Sequence, residues 1–413
     1  MKTVEPDSGR SLLRHPPFAR FWFSRIASTI AFQMLNVAVG WQVYALTGDA
    51  LALGMLGLVQ FVPMVALTLL VGHVADRYDR RRIIALCQIT MSSAAAVLAL
   101  GTAQGWLGIA SIYALMAVVG GARAFENPTL QALLPNLVAR PLVPRASAVS
   151  ASANQTAQIL GPAIGGLAYG LGPALVYGSV AVLAVLASGL VSSISMPAAA
   201  RKIEAPTFES LFSGLRFVFH HRVILGTLSL DLFAVLLGGA TALLPIYARD
   251  ILGTGPWGLG LLRAAPPVGA LTMSMVLAKW PLKQAVGTKL FVALTGFGIG
   301  TIVFGLSTYL ALSLSALALL GACDVISVVI RLSLVQLKTP DDMRGRVSAV
   351  NALFIGTSNQ LGEFESGVAA ALFGAVASVL IGGVGTVLIA LLWMWLFPEL
   401  RRLRSLDDET SGA

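Results

Sequence analysis

The sequence predicts an all-α membrane protein with twelve transmembrane helices in two pseudo-symmetric bundles of six. Three observations carry this reading. Hydrophobic residues make up 56% of the 413 and charged residues 11%, with a mean hydropathy of +0.82, far too apolar for a soluble domain of this size. Apolar runs separated by charge or by Gly and Pro clusters number twelve, each near the roughly 20 residues a helix needs to cross the hydrocarbon core. Of the 28 Lys and Arg residues, 24 fall in segments that would lie on one side of the membrane together with both termini, the bias expected of cytoplasmic loops.

Taken in order, the first twenty residues include Arg10, Arg14, His15 and Arg20 and no apolar core of useful length, so no cleavable signal peptide is expected and the amino terminus is expected to stay inside. The first span centres near residue 33 and the second near 62. The second ends in GHVADRYDRRR, residues 72–82, where four arginines fall within six residues; a loop this basic marks the cytoplasmic side. Spans three to six centre near 93, 117, 157 and 184, and spans seven to twelve near 234, 267, 297, 323, 358 and 386. Cys87 and Cys323 fall inside apolar segments and read as small buried side chains rather than a disulfide framework.

The longest inside connector divides the chain into an N-terminal bundle over 1–196, a linker over 197–221 and a C-terminal bundle over 222–413. Within the linker Phe208, Leu211, Phe212, Leu215 and Phe219 recur at helical spacing opposite Glu209, Ser213 and Arg216. That pattern predicts a short amphipathic helix on the inner membrane surface.

The two halves echo each other. RASAVSASANQTAQILGPAIGG from Arg145 overlies RVSAVNALFIGTSNQLGEFESG from Arg346 at a constant offset of 201, so that Thr156, Leu160, Gly161 and Gly166 recur as Thr357, Leu361, Gly362 and Gly367. A second echo relates VYALTGDALALGMLG from Val43 to IYARDILGTGPWGLG from Ile246. Spans five and eleven, and one and seven, are thus equivalent parts of a parallel six-helix repeat, a common way of building transporters.

These features resemble the major facilitator superfamily over nearly the whole chain. That family places GxxxDRxGRR between its second and third helices, and Gly72, Asp76, Arg77, Arg80 and Arg81 match, with Arg82 following and Asp79 in place of the usual glycine. The resemblance implies an inside latch between the halves, with Asp76 near the start of the eleventh helix, where a carboxylate is favoured by unpaired N–H groups. Gly161, Pro162, Gly165 and Gly166 match the GPxxGG motif of proton-driven exporters in that family. ARAFENP, LPIYARDIL and TPDDMRGRVSAVN are similar to the siderophore and drug efflux branch that includes the enterobactin exporter. Repeat position 162 is Glu363 in the second half.

Ionisable side chains inside spans are costly and need a reason. Five acids qualify, Glu126, Asp231, Asp324, Glu363 and Glu365, with Arg123, Arg263 and Arg331 as counter-charges. Desolvation disfavours an ionised carboxylate and a nearby arginine favours it, so an acid that alternates between those surroundings can bind and release a proton. Asp324, Ser327 and Arg331 form one stripe; Arg331 or Arg263 can serve as the partner of a midplane acid. Arg123 and Glu126, three apart, read as a structural pair. Glu363 shares a face with Asn351 and Asn359, whereas Glu365 points roughly 200° away. Substrate-lining candidates are Gln33, Asn36 and Trp41 in span one, Asn154, Gln155 and Gln158 in span five, and Asn351 and Asn359 in span eleven; interhelical hydrogen bonding is the competing role for each.

The expectation is a secondary transporter of the bacterial cytoplasmic membrane, both termini inside, that exports a small amphipathic drug, siderophore or metabolite by proton antiport. Its partners are that small molecule, protons and the lipid bilayer. A monomer is expected, with no cofactor, metal or catalytic residue, and the net charge of +9 belongs to membrane-facing loops rather than to nucleic-acid binding. A membrane enzyme would need convergent His or Cys groups at depth, whereas His15, His73, His220 and His221 all fall at the expected inner surface. Proton-coupled uptake and lipid or lysolipid flipping use the same fold and are the alternatives; a passive channel conflicts with the repeat.

Overall fold

The computed structural model describes residues 12–195, 208–282, 284–340 and 343–405, with the side chains of 68–69, 71–73, 75–76 and 208–212 outside that description. It is helical throughout these residues. The twelve long helices are α1 Pro16–Thr47, α2 Ala50–Arg77, α3 Arg80–Gln104, α4 Ile109–Leu133, α5 Val143–Leu171, α6 Pro173–Ser192, α7 Arg222–Leu237, α8 Gly255–Lys279, α9 Val286–Leu306, α10 Leu310–Lys338, α11 Arg344–Phe373 and α12 Ala375–Leu396. Each of the twelve expected span centres lies inside one of them.

Ten of these helices are long and apolar enough to cross a bilayer; α5 and α11 are not among them. Both have the length, at 29 and 30 residues, so their polarity is what sets them apart. They are the two members of the sequence repeat. A spanning helix rich in polar groups is tolerated where those groups face protein or water rather than lipid.

The chain forms two compact units, Met1–Val39 with Val62–Ala205 and Gly40–Phe61 with Pro206–Ala413. The corner made by the end of α1 and the start of α2 therefore packs inside the second unit. In the first unit α3 lies along α6 and α4. Its core at the loop-bearing end gathers Phe18, Phe21, Ile84, Leu130, Leu133 and Val191. In the second unit α8 packs along α10, and α9 along both α10 and α12. Small residues let these backbones meet. A Cβ on Gly321 would strike the carbonyl of Pro266 and one on Gly269 the carbonyl of Ala318, so α8 and α10 are notched into each other at two levels.

The repeat recurs as packing. A Cβ on Gly161 of α5 would meet Gln33 Cβ at 2.6 Å, and one on Gly165 would meet Met34 Cα at 2.9 Å. In the second unit Gly362, the repeat equivalent of Gly161, faces the carbonyl oxygens of Leu236 at 2.9 Å and Val235 at 3.0 Å. The exporter-like glycines are thus seats for α1, and their counterpart is a seat for α7. Each repeated helix also stops at a glycine with positive φ, Gly172 at 138° and Gly374 at 88°, a conformation in which a side chain would be strained.

One element departs from the sequence expectation. Span seven is not one continuous α-helix: it breaks after Leu237, continues as a 3₁₀ turn over Ala240–Leu243 and ends in a π-helical turn over Tyr247–Ile251. The break lies where Gly239 abuts Gly362 and Ser366 of α11 too closely for any Cβ. The linker forms the expected helix, Phe208–His220, and its described residues also pack on α11. Gly214 lies against the Arg346 carbonyl, Ser213 accepts from the Arg346 guanidinium at 3.2 Å, and Val218 is buried with Val347 and Val350, with Leu215 packed against them. Phe219 is exposed.

Candidate functional site

The basic loop after α2 is built by helix-end chemistry. Asp79 caps α3, accepting from the Arg81 amide at 2.9 Å, and its carboxylate also binds the Arg81 guanidinium at 2.6 Å. These contacts hold the Asp79 carboxyl below its usual range. Arg80 donates to the Ala132 carbonyl at 2.9 Å and Arg81 to the Ile194 carbonyl at 2.5 Å, so both guanidinium groups satisfy carbonyls at the ends of α4 and α6 that the helices leave unpaired. Gly72, Asp76 and Arg77 occupy the last turns of α2; the contacts of the Asp76 carboxylate lie outside the described residues.

Within the first unit the structure assembles a buried polar network around Glu126, which is 1% exposed. Glu126 accepts from Ser28 at 2.6 Å, from Gln88 at 3.0 Å and from Arg123 at 2.8 Å. Arg123 stacks over the Phe32 ring at 4.3 Å. The expected Arg123–Glu126 pair is present, but Ser24, Ser28 and Gln88 were not anticipated. Ser24 and Ser28, four apart on one face of α1, were the available signal. On the neighbouring face Thr29 donates to Asn154 at 3.1 Å and Arg25 to Ser150 at 2.8 Å. Asn36 and Gln158 are half-buried, Gln155 is paired, and Pro162 and Gly166 are buried in α5.

The second unit holds the rest of the intramembrane charge. Arg331 of α10 makes an ion pair with Asp231 of α7, with side chains 3% and 7% exposed. Asp324, two turns earlier on α10, lines the same small pocket as Asp231, together with Cys323, Phe297 and Ala234. That pocket has room for about one water molecule. Glu363 sits elsewhere. Its Oε2 lies 3.0 Å from where a Cβ on Gly57 would stand, and Arg263, whose Nη2 is 3.4 Å from the corresponding point on Gly40, lies within its electrostatic reach. The two arginines that the sequence left as alternatives therefore divide: Arg331 serves Asp231, and Arg263 faces Glu363. Glu365 turns away to its neighbour Ser366 at 3.5 Å. Trp41 is half-buried in the corner that packs into this unit.

Several polar atoms buried here have no hydrogen-bond partner among the described residues: Nε of Arg263 and Arg331, Oδ1 of Asn351 and Oε1 of Gln360. A buried donor or acceptor left unpaired costs about 1–3 kcal/mol, so such groups are retained where they meet water or ligand. Gln360, one turn before Glu363, was not among the residues expected from the sequence. Asn359, beside it, is exposed.

A family model described as transmembrane secretion effector matches residues 7–412. The chain belongs to this family of the major facilitator superfamily. Like other members it is a membrane transporter and not an enzyme. Relatives of this secretion effector include the enterobactin exporter EntS of Citrobacter koseri, 28% identical over 407 residues that cover 98% of this chain and 97% of that one. The enterobactin exporter EntS of Escherichia coli O1:K1 is 26% identical over 406 residues, again 98% and 97% of the two chains. The fold is shared with a bacterial homologue of the human lysosomal transporter Spinster in an inward-facing, unoccupied conformation, at a TM-score of 0.72, 14% identity and coverage of 96% and 98%. The nucleoside transporter NupG also shares it, at a TM-score of 0.73, 13% identity and coverage of 92% and 100%.

Proposed function

We propose that this secretion effector exports a small amphipathic organic compound, of the siderophore, drug or metabolite class, across the bacterial cytoplasmic membrane by proton antiport with alternating access. Both termini face the cytoplasm in this reading, and the chain acts as a monomer. The observation that carries it is the Asp231–Arg331 pair with Asp324 beside it in one pocket of the second unit. A carboxylate kept ionised by a guanidinium gives up that partner only at a cost, and protonation removes the cost. A second acid within the same pocket supplies a place for the proton while the pair is closed. Glu363 of α11, within electrostatic reach of Arg263 of α8, is a further candidate. A membrane potential of 100 mV adds about 2.3 kcal/mol for each charge carried across.

Export rather than uptake is supported by the secretion family and by relatives named as enterobactin exporters. The unpaired amide oxygens of Asn351 and Gln360 offer acceptors for hydroxyl-rich cargo of the kind a catecholate siderophore presents. The test is efflux from energised proteoliposomes under an imposed pH gradient. Asp231→Asn, Asp324→Asn and Glu363→Gln are expected to abolish or strongly slow it while substrate binding persists. Unchanged pH-driven efflux in all three variants would refute the coupling assignment. A deletion strain that retains siderophore or gains drug sensitivity would identify the cargo, and substrate accumulation by energised cells would reverse the direction.

A further inference from the structure

The second unit carries, away from its charge pairs, two surface grooves along α9 and α12. Helices α9 and α12 cross tightly where Gly298 and Gly383 meet; a Cβ on Gly298 would stand 2.8 Å from the Gly383 carbonyl. Toward Arg401 from that crossing lies a groove of about 570 Å³. Its α9 wall is the helical stripe Thr288, Val292, Thr295 and Ile299. An adjoining groove of about 320 Å³ runs along Leu391, Trp395 and Pro398. Met394 and Arg401 line both, so two largely apolar troughs meet at one arginine. Val292 is 65% exposed and Trp395 79%, which leaves both troughs open to the surrounding bilayer.

The junction is positively charged and fixed in place. Arg401 lines both grooves and Arg402 the second. The turn that bears them is pinned to the start of α9: the Gly287 amide donates to the Leu403 carbonyl at 3.0 Å, and a Cβ on Gly287 would lie 2.7 Å from the Arg401 carbonyl. Glu399, the nearest acid in sequence among the described residues, is already bound to Arg222 at 3.0 Å. Trp395, at the end of α12, lies near the level of the headgroups, where indole rings collect. Two apolar channels that converge on two guanidinium groups match two acyl chains that converge on a phosphate.

We propose that this junction binds one anionic glycerophospholipid, its phosphate on Arg401 and Arg402, one acyl chain along the α9 stripe and the other over Leu391 and Trp395. Arginine is suited to this because its planar fork meets phosphate oxygens in pairs. The leaflet is the one that faces the cytoplasm under the topology proposed above, where anionic lipid is drawn to basic segments. The site is independent of cargo and coupling.

Native mass spectrometry and lipid extraction of the full chain, purified in mild detergent from membranes containing phosphatidylglycerol and phosphatidylcholine, test the proposal. The wild type is expected to keep about one phosphatidylglycerol per chain. Arg401→Gln with Arg402→Gln should lower that retention at least fivefold, and so should Val292→Trp, which fills the α9 trough and leaves the charge intact. Arg140→Gln with Arg145→Gln removes the same charge elsewhere and should leave retention unchanged. Equal retention after the Arg401 and Arg402 changes, equal loss in the Arg140 and Arg145 control, or equal retention of phosphatidylcholine would each overturn the proposal.

Discussion

Arg331 is bound to Asp231 across the interface of α10 and α7, and neither side chain is more than a tenth exposed. Removing one member of such a pair leaves a buried charge without compensation, a loss of about 3–5 kcal/mol, whereas replacing both with apolar groups is often close to neutral. Asp231→Leu alone is therefore expected to lower the melting temperature of the purified protein sharply. The double variant Asp231→Leu with Arg331→Met should recover most of that stability and still fail in pH-driven efflux. A double variant as unstable as the single one would show that the two do not act as a unit.

Glu126 is expected to behave differently from Asp231 because its partners include neutral groups. Glu126→Gln keeps an oxygen for Ser28 and Gln88 and loses only the charge opposite Arg123. Glu126→Leu strands all three. Loss of stability should be about 1–2 kcal/mol for Gln and about 3–5 kcal/mol for Leu, read as separate melting curves in one detergent.

The glycines of α5 give a comparison within one helix. Gly161→Ala and Gly165→Ala force α1 away at Gln33 and Met34 and should each cost about 1–3 kcal/mol. Gly170, where a Cβ would meet nothing within 4 Å, should accept Ala with a gain of about 0.5–1 kcal/mol from helix propensity. Similar losses at all three positions would exclude close helix approach as the cause.

Asp79 carries a pH dependence of defined sign. Its carboxyl is held below the usual value by Arg81, so its contribution is present above the unfolded value near about 4 and fades as pH falls through the lower folded value. Asp79→Ala should cost about 1 kcal/mol at neutral pH through loss of the cap, and Asp79→Gly only a few tenths. The gap between wild type and Asp79→Ala should narrow below about pH 4 in thermal scans.

Most of the architecture is written in hydropathy. Span positions follow from the apolar runs because a lipid-facing helix has little freedom in composition, and the offset of 201 between spans five and eleven reappears as Gly161 on α1 and Gly362 on α7. Beyond the Arg123–Glu126 pair, charge partners were legible only as sets. Periodicity places Arg331 on a face of α10, but whether it meets Asp231 or another acid depends on which helices cross, and that is decided by close approaches such as Gly239 on Gly362. The break in span seven was hidden for the same reason: Gly238 and Gly239 read as ordinary small residues until a neighbouring carbonyl lies against them. Asp79 was readable, since an aspartate directly before a new helix is a capping signal; its reading as a departure from a motif obscured its local role.

The polarity of α5 and α11 bears on how the protein is made. A segment enters the bilayer from the translocon by its own partition free energy, and these two helices carry amides, hydroxyls and, in α11, two glutamates where lipid would surround them. Each has a glycine seat for a helix synthesised earlier, Gly161 for α1 and Gly362 for α7. Insertion of α5 and α11 is therefore expected to depend on helices already in place, α1 for α5 and α7 for α11.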